Sequence, residues 1–188
     1  IVDFVPSMTR ETREVETFVI GSYGFFLPHK GLLELIEAVA LLRNQGELVE
    51  LQMFNAEYPV PDSKILIEEA MNKIDSLNLG DLVSVCTDYF EDEVCLSKLA
   101  GVDLIVFPYQ ETGESSSAAV RYGLATGRPV AVTPLSIFED VSSVVFQLPG
   151  QSPQDIADGI REIRHKLKSD NFSTCDVIGL ADQWRERH

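Results

Sequence analysis

The sequence has few cysteines and no apolar run long enough to cross a bilayer. Cys86, Cys95 and Cys175 are an odd number of thiols at wide spacing, which matches neither a zinc site nor a disulfide framework. We therefore expect reduced thiols and a cytoplasmic domain, with any peripheral contact to a membrane made by other parts of a longer protein. The first residue is Ile1 rather than methionine, which is why a longer protein is expected.

Positive charge is also scarce. The 188 residues include 15 lysines and arginines against 30 aspartates and glutamates, a formal net charge of -15. A surface this acidic repels phosphodiester backbones, which argues against nucleic acid as a partner. Hydrophobic residues make up 45% of the chain, which is enough for one globular core and too many for a disordered chain.

Short β-branched and aromatic runs alternate with longer amphipathic runs, which is typical of βαβ units. Residues 1–14 are interpreted as a lead-in, and one domain is predicted over residues 15–188. Right-handed crossovers then predict an α/β fold, a doubly wound parallel sheet of about six strands with helices on both faces. The predicted strands are 17–20, 49–55, 82–86, 104–108, 129–133 and 144–148. The predicted helices are 30–45, 63–77, 93–100, 115–126, 152–169 and 176–187.

The loop after the first predicted strand contains two closely spaced glycines, Gly21 and Gly24, followed by Phe25. Glycines there let the backbone turn sharply or approach a ligand closely. Lys30 lies where the next helix is predicted to begin, a position at which a cation opposes the helix dipole unless an anion is shared with the free amides. The loop therefore either binds an anion or is a tight turn with an exposed lysine, and spacing alone favours neither.

A second loop leads from the apolar strand predicted at residues 104–108 to a helix that starts with Ser115, Ser116 and Ser117. One serine is enough to cap a helix. Three of them surround the free N–H groups with small side chains, which predicts a pocket for phosphate or sugar oxygens. Glu114 precedes them, and it would either accept hydrogen bonds from sugar hydroxyls or compensate the helix dipole.

Together these segments resemble the C-terminal domain of retaining GT-B glycosyltransferases of family 4. That family has a glycine loop and a Lys-Gly pair that opens a helix, here Lys30 and Gly31. It also has an apolar strand ending in proline, here Pro108, followed by a glutamate with small residues, here Glu114. A Gly-Arg-Pro-Val turn after the helix, residues 127–130, completes the pattern, and the resemblance extends from about residue 18 to residue 148.

The resemblance implies a nucleoside-diphosphate sugar as donor substrate, bound in a cleft shared with an N-terminal domain that binds the acceptor. Lys30 would contact the donor diphosphate and Glu114 would hold hydroxyls of the donor sugar, so these two are the implied catalytic residues. No metal and no other cofactor are implied, and the acidic run at residues 88–93 is interpreted as a solvated loop and helix start. The implied donor contacts are Gly21, Gly24, Phe25, Lys30, Val85, Thr87, Glu114, Ser115, Ser116, Ser117 and Tyr122.

Two positions depart from the family pattern. Tyr122 stands where the family has a second glutamate that holds the nucleotide ribose, and Phe25 stands where it often has an arginine. Arg121 and Arg128 are candidates for restoring the positive charge. The departures leave two other hypotheses open, an inactive binding or scaffold module and a sugar epimerase of the same two-domain fold. Without the acceptor half, the domain alone is expected to turn over little or nothing.

Overall fold

The computed structural model describes residues 17–111, 113 and 116–169 of the chain. Six strands in this part form one sheet: β1 (Phe18–Phe25), β2 (Val49–Ala56), β3 (Val83–Cys86), β4 (Leu104–Phe107), β5 (Val130–Val132) and β6 (Phe146–Gln147). All neighbouring strands are parallel, and their order is β3-β2-β1-β4-β5-β6. The predicted fold class, a doubly wound parallel α/β sheet of about six strands, is confirmed.

The helices in the described part are α1 (Leu32–Asn44), α2 (Pro61–Ser76), α3 (Asp92–Leu99), α4 (Ala118–Ala125) and α5 (Pro153–Lys168). Short 3-10 helices lie at Pro28–Lys30 and Ser136–Val141. Within residues 17–111, 113 and 116–169, no helix is long and apolar enough to cross a membrane. The lead-in predicted for residues 1–14 and the helix predicted for residues 176–187 lie outside the described residues.

The helices cover both faces of the sheet, as the residues of β4 show. Leu104 and Val106 belong to the core that α1, α2 and α5 complete, whereas Ile105 and Phe107 pack with α3 and α4 on the other face. All four side chains are buried. A strand covered on both sides needs no polar alternation, which explains the continuous apolar run in the sequence.

β1 is longer than the prediction, which ended it at residue 20 and placed Gly21 and Gly24 in a loop. Both glycines pair with β2, opposite Gln52 and Asn55. Parallel pairing uses only backbone groups, so a glycine can continue a strand whose neighbour is in place. The strand therefore ends at Phe25, and only a short segment separates it from the 3-10 helix that contains Lys30.

The helices α1 and α4 begin later than predicted, and both starts lie at the candidate site. Lys30 ends a 3-10 helix and α1 begins at Leu32, because Gly31 between them has a φ of 67°, which a right-handed helix does not allow. α4 begins at Ala118 rather than at residue 115, since Ser117 is extended. The other predicted boundaries within the described residues differ from the observed ones by no more than two residues.

Candidate functional site

A cavity of about 420 Å³ opens at the carboxyl ends of β1 and β4. These two strands are neighbours, yet the chain leaves them toward helices on opposite faces of the sheet. Such a switch point leaves a crevice at the strand ends, which is where open α/β sheets bind their ligands. The cavity volume lies within the range of about 300–1,000 Å³ that is usual for small-molecule sites.

The first wall of the cavity carries Lys30, which the backbone of the neighbouring residues holds in place. Gly31 lies against the carbonyl of Pro108, at the end of β4, so closely that a Cβ on residue 31 would overlap the carbonyl oxygen. The backbone N–H of Gln110 donates to the carbonyl of His29 at 2.9 Å. The segment that carries Lys30 is thereby joined to the end of β4, although the two are about 80 residues apart in the sequence.

Tyr109 lies beneath the ammonium of Lys30, whose Nζ is 4.0 Å from the centroid of the phenol ring. The ring is 2% exposed, and its hydroxyl is 3.0 Å from the Oγ of Ser117. Tyr109 therefore contacts both features that the sequence analysis assigned to an anion, the lysine and the start of the serine-rich helix. Tyr109 was not predicted as a site residue, because a tyrosine that follows the proline of an apolar strand has no distinctive pattern.

The start of α4 forms the second wall, with Ser116, Ser117, Ala118 and Ala119 lining the cavity. Ser117 occupies the N-cap position, but its side chain makes no capping hydrogen bond to the helix. The first N–H groups of an α-helix have no partner within the helix, and they carry the positive end of the helix dipole. Gly24 has a φ of 130°, and a Cβ placed there would lie 3.7 Å from that of Ala119, so β1 ends close to this helix start.

Aromatic rings and carboxylates form the opposite end of the cavity. The rings of Tyr23 and Tyr122 are 5.6 Å apart, and the Tyr122 hydroxyl donates to Asp92 at 3.0 Å. Burial, together with a hydrogen bond to Cys95, raises the pKa of Tyr23. The hydrogen bond to Asp92 likewise raises the pKa of Tyr122. Both phenols therefore stay protonated at neutral pH and can donate to a ligand or to a carboxylate.

Charge is distributed unevenly over this cavity. Among its described lining residues, Lys30 supplies the positive charge, and Asp88 and Asp92 supply the negative charge from the α3 side. The arginines proposed to add positive charge do not line it. Arg121 pairs with an aspartate of the 3-10 helix at 2.6 Å, and the Nε of Arg128 donates to the carbonyl of Ala100 at 2.8 Å. The end formed by Lys30 and the start of α4 is thus the one suited to an anion.

The structure brings together about half of the residues that the resemblance implied. Six of them line the cavity: Gly24, Phe25, Lys30, Ser116, Ser117 and Tyr122. Gly21, Val85 and Thr87 are not among its lining residues. Gly21 faces the side chain of Val102 instead, and Val85 packs against the core that contains α1. Glu114 and Ser115 lie outside the described residues.

Most of the aromatic end of the cavity was not predicted from the sequence. The lining residues of this end that were not predicted are Tyr23, Phe54, Asp88, Tyr89, Phe90, Asp92 and Cys95. The helix start predicted within the acidic run at residues 88–93 is observed, since α3 begins at Asp92. Within residues 17–111, 113 and 116–169, no group of three or more His, Cys, Asp or Glu side chains is placed to hold a metal ion.

The strand order and the cavity define a doubly wound α/β domain with a small-molecule-sized site at its switch point. No protein-family model matches the sequence, and no curated protein matches it. Among solved structures, the chain is similar to the C-terminal domain of a glycosyl transferase group 1 family protein (LpcC) from Francisella tularensis. That match has a TM-score of 0.73 and 16% identity, and it covers 88% of this chain and 85% of that domain.

Two longer proteins are similar over one part of their length. HepE from Anabaena, solved in complex with UDP and glucose, has a TM-score of 0.73 at 18% identity and is matched over 91% of this chain and 44% of its own. Sucrose-phosphate synthase from Thermosynechococcus elongatus has a TM-score of 0.72 at 18% identity, over 92% of this chain and 40% of its own. The chain thus spans less than half the length of these two proteins.

At these identities the comparisons define the fold. It is the fold of the C-terminal half of GT-B glycosyltransferases, which confirms the resemblance found in the sequence at the level of architecture.

Proposed function

We propose that this chain is the donor-binding half of a retaining glycosyltransferase of the family 4 type. The complete protein would transfer a sugar, of the hexose type, from a nucleoside-diphosphate sugar to a glycan, a lipid or another acceptor, as in polysaccharide biosynthesis. The observation that carries the proposal is the shared cavity at the switch point, which Lys30 and the uncapped start of α4 line together.

The anion-binding end would act on the leaving group. As the glycosidic bond of the donor breaks, negative charge develops on the diphosphate, and groups that are already oriented stabilise it at little cost. The ammonium of Lys30 and the first N–H groups of α4 are suited to this role, so no metal ion is required. In the proposal, Glu114 holds hydroxyls of the donor sugar, as the resemblance implies.

The nucleoside would extend from the diphosphate toward the aromatic end. Flat rings such as Phe90 and Tyr122 offer surfaces for a base, and Asp92 offers a carboxylate that can accept hydrogen bonds from hydroxyl groups. Val85 and Thr87 are among the donor contacts that the resemblance implies, but in the proposal these cavity residues contact the base instead. HepE was solved with UDP, which makes UDP the first nucleotide to test.

The acceptor would be bound by an N-terminal domain of the same protein. The share of HepE that the chain matches, 44%, is what one of two domains would occupy. The catalytic cleft would then lie between the domains, so the 188-residue chain alone is expected to bind a donor without transferring its sugar. We propose a cytoplasmic location for this domain, with any peripheral contact to a membrane made by the rest of the protein.

Nucleotide binding to the 188-residue chain tests the proposal. Melting temperatures would be measured with UDP, GDP, ADP and inorganic pyrophosphate, with the parent nucleosides as controls. A ligand that binds only the folded state at about 100 times its Kd stabilises by about 2.7 kcal/mol, which corresponds to roughly 5–10 °C for a domain of this size. If no nucleoside diphosphate raises the melting temperature or gives a calorimetric Kd, the proposal is wrong.

A second candidate is a binding module that has kept the fold without the activity. Phe25 packs its ring on Tyr58 at 4.9 Å, and the Tyr122 hydroxyl is engaged by Asp92, so neither position supplies the charge that the family pattern has there. The absence of any nucleotide response in the folded chain would favour this module. Conversion of a nucleotide sugar in the absence of an acceptor would favour the epimerase.

A further inference from the structure

We infer that Tyr109 is a positioning residue for the anion-binding end of the cavity. Its ring face holds the ammonium of Lys30, and its hydroxyl draws the side chain of Ser117 away from the start of α4. The inference rests on the proposed function only for the identity of the anion. The arrangement of the three side chains is a property of the fold.

Tyr109 is suited to this task because its own position is tightly constrained. The ring is almost fully buried, with the rings of Phe107 and Phe138 centred 6.1 and 5.1 Å from it. Its carbonyl accepts a hydrogen bond at 2.7 Å from the hydroxyl of Thr133, which directly follows β5 and is fully buried. Contacts on several sides therefore hold the ring in one orientation, and the ring in turn orients the Lys30 ammonium that lies on its face.

The ring acts on Lys30 through its electron-rich face. An ammonium over a phenol ring is attracted by the ring quadrupole, which favours one of the many lysine rotamers. The ring face carries no net charge, so it restricts the ammonium without itself adding a charge to the place where an anion must bind. A ligand then encounters a larger fraction of molecules in the binding arrangement, which raises its apparent affinity.

The hydroxyl acts on the start of α4. Serine at an N-cap normally accepts a hydrogen bond from the second or third N–H of the helix. Ser117 occupies this position without making that bond, and its Oγ lies 3.0 Å from the Tyr109 hydroxyl instead. The phenol thus keeps the hydroxyl of Ser117 off the helix N–H groups, which remain available to an anion. Tyr109 thus orients both parts of the anion-binding end, the Lys30 ammonium and the start of α4.

The first test uses no nucleotide. In the 188-residue chain, protons on the terminal methylene of Lys30 should resonate upfield because of the ring current, with the signal assigned through Lys30→Arg. The shift should persist in Tyr109→Phe, which keeps the ring, and disappear in Tyr109→Leu. An ordinary chemical shift in the unsubstituted protein, or no change in Tyr109→Leu, would overturn the inference even if nucleotides bind.

The second test separates positioning from general damage. We expect Tyr109→Phe to weaken the binding of UDP and of pyrophosphate about threefold to tenfold, and Tyr109→Leu to weaken it more than tenfold, while uridine binding changes less than about twofold. An equal loss for UDP and uridine would overturn the inference, because damage to packing affects the whole cavity. If the unsubstituted protein binds none of these ligands, the proposed function fails, and the resonance of Lys30 still decides the role of Tyr109.

Ser117→Ala provides a matched background. In Tyr109→Phe the released serine can turn to cap α4, so the melting temperature should stay level or rise while pyrophosphate affinity falls. In the Ser117→Ala background no hydroxyl is released, and the same substitution at Tyr109 should change pyrophosphate affinity less than about twofold. Equal losses of affinity in both backgrounds would refute the role assigned to the Tyr109 hydroxyl.

Discussion

The backbone of Gly31 lies directly against the carbonyl of Pro108, so no side chain fits at residue 31. This contact joins the segment before α1 to the end of β4 and brings Lys30 over Tyr109. Glycine is required at residue 31 for a second reason, because the residue has a φ of 67°. The anion-binding end of the cavity therefore depends on one backbone contact between two segments that are about 80 residues apart in the sequence.

Gly31→Ala should be strongly destabilising. The left-handed backbone alone costs an alanine about 1–2 kcal/mol, and displacing the backbone of Pro108 should add about 1–3 kcal/mol. Gly127→Ala is the matched control, since Gly127 has a φ of 71° and no atom within 4 Å of its added Cβ. Urea denaturation of both variants measures the difference, and equal losses would show that the contact with Pro108 carries no cost.

Lys30→Ala should abolish most of the response to nucleotides. Removing a charge-assisted hydrogen bond to a phosphate costs about 1.5–3 kcal/mol, so the Kd for UDP should rise about tenfold to a hundredfold. Lys64→Ala removes the same charge from an exposed position on α2, outside the cavity lining, and should leave the Kd within about twofold. Similar losses in the two variants, measured by calorimetry, would mean that net charge rather than the cavity controls binding.

Tyr23 should make the folded state less stable at alkaline pH. Burial and the hydrogen bond with Cys95 raise its pKa above the ordinary value of 10.0, so above pH 10 the unfolded chain loses a proton that the folded chain keeps. The contribution of Tyr23 to the free energy of unfolding therefore has its full value below pH 10 and decreases as the pH rises further. Tyr23→Phe should flatten that decline.

Denaturant unfolding at intervals between about pH 8 and pH 11.5 measures the effect. Tyr89→Phe is the control, because Tyr89 is 73% exposed at the mouth of the cavity. It should keep the slope of the unsubstituted protein. Identical slopes for Tyr23→Phe and the unsubstituted protein above pH 10 would contradict the assignment.

Glu47→Gln should destabilise the contact between α5 and the rest of the domain. Arg164 of α5 is 6% exposed, pairs with Glu47 and lies over the ring of Phe18. Leaving its buried guanidinium without a carboxylate should cost about 2 kcal/mol. Asp158→Asn breaks a half-exposed pair within the same helix and should cost at most about 0.5 kcal/mol. Thermal unfolding compares them, and equal costs would show that burial of Arg164 does not matter.

Much of the architecture could be predicted from the sequence because the signals are local. A continuous apolar run at residues 104–107 indicates a strand covered on both faces, and the spacing of Leu35, Ile36 and Val39 indicates a helix with one buried side. The predicted end of β1 was wrong, because pairing with the neighbouring strand β2 determines where β1 ends. Gly21 and Gly24 look like a loop by composition, but pairing with β2 keeps them in the sheet.

The sequence by itself determined the class of fold and the two segments at the switch point that carry Lys30 and Ser117, because each depends on a short motif and on the general geometry of parallel sheets. Only the tertiary structure decided that Tyr109 connects Lys30 to Ser117, and that Tyr122 meets Asp92 of α3. Lys30 and Tyr109, and likewise Tyr122 and Asp92, are joined by packing between segments distant in the chain, and no local pattern encodes such contacts.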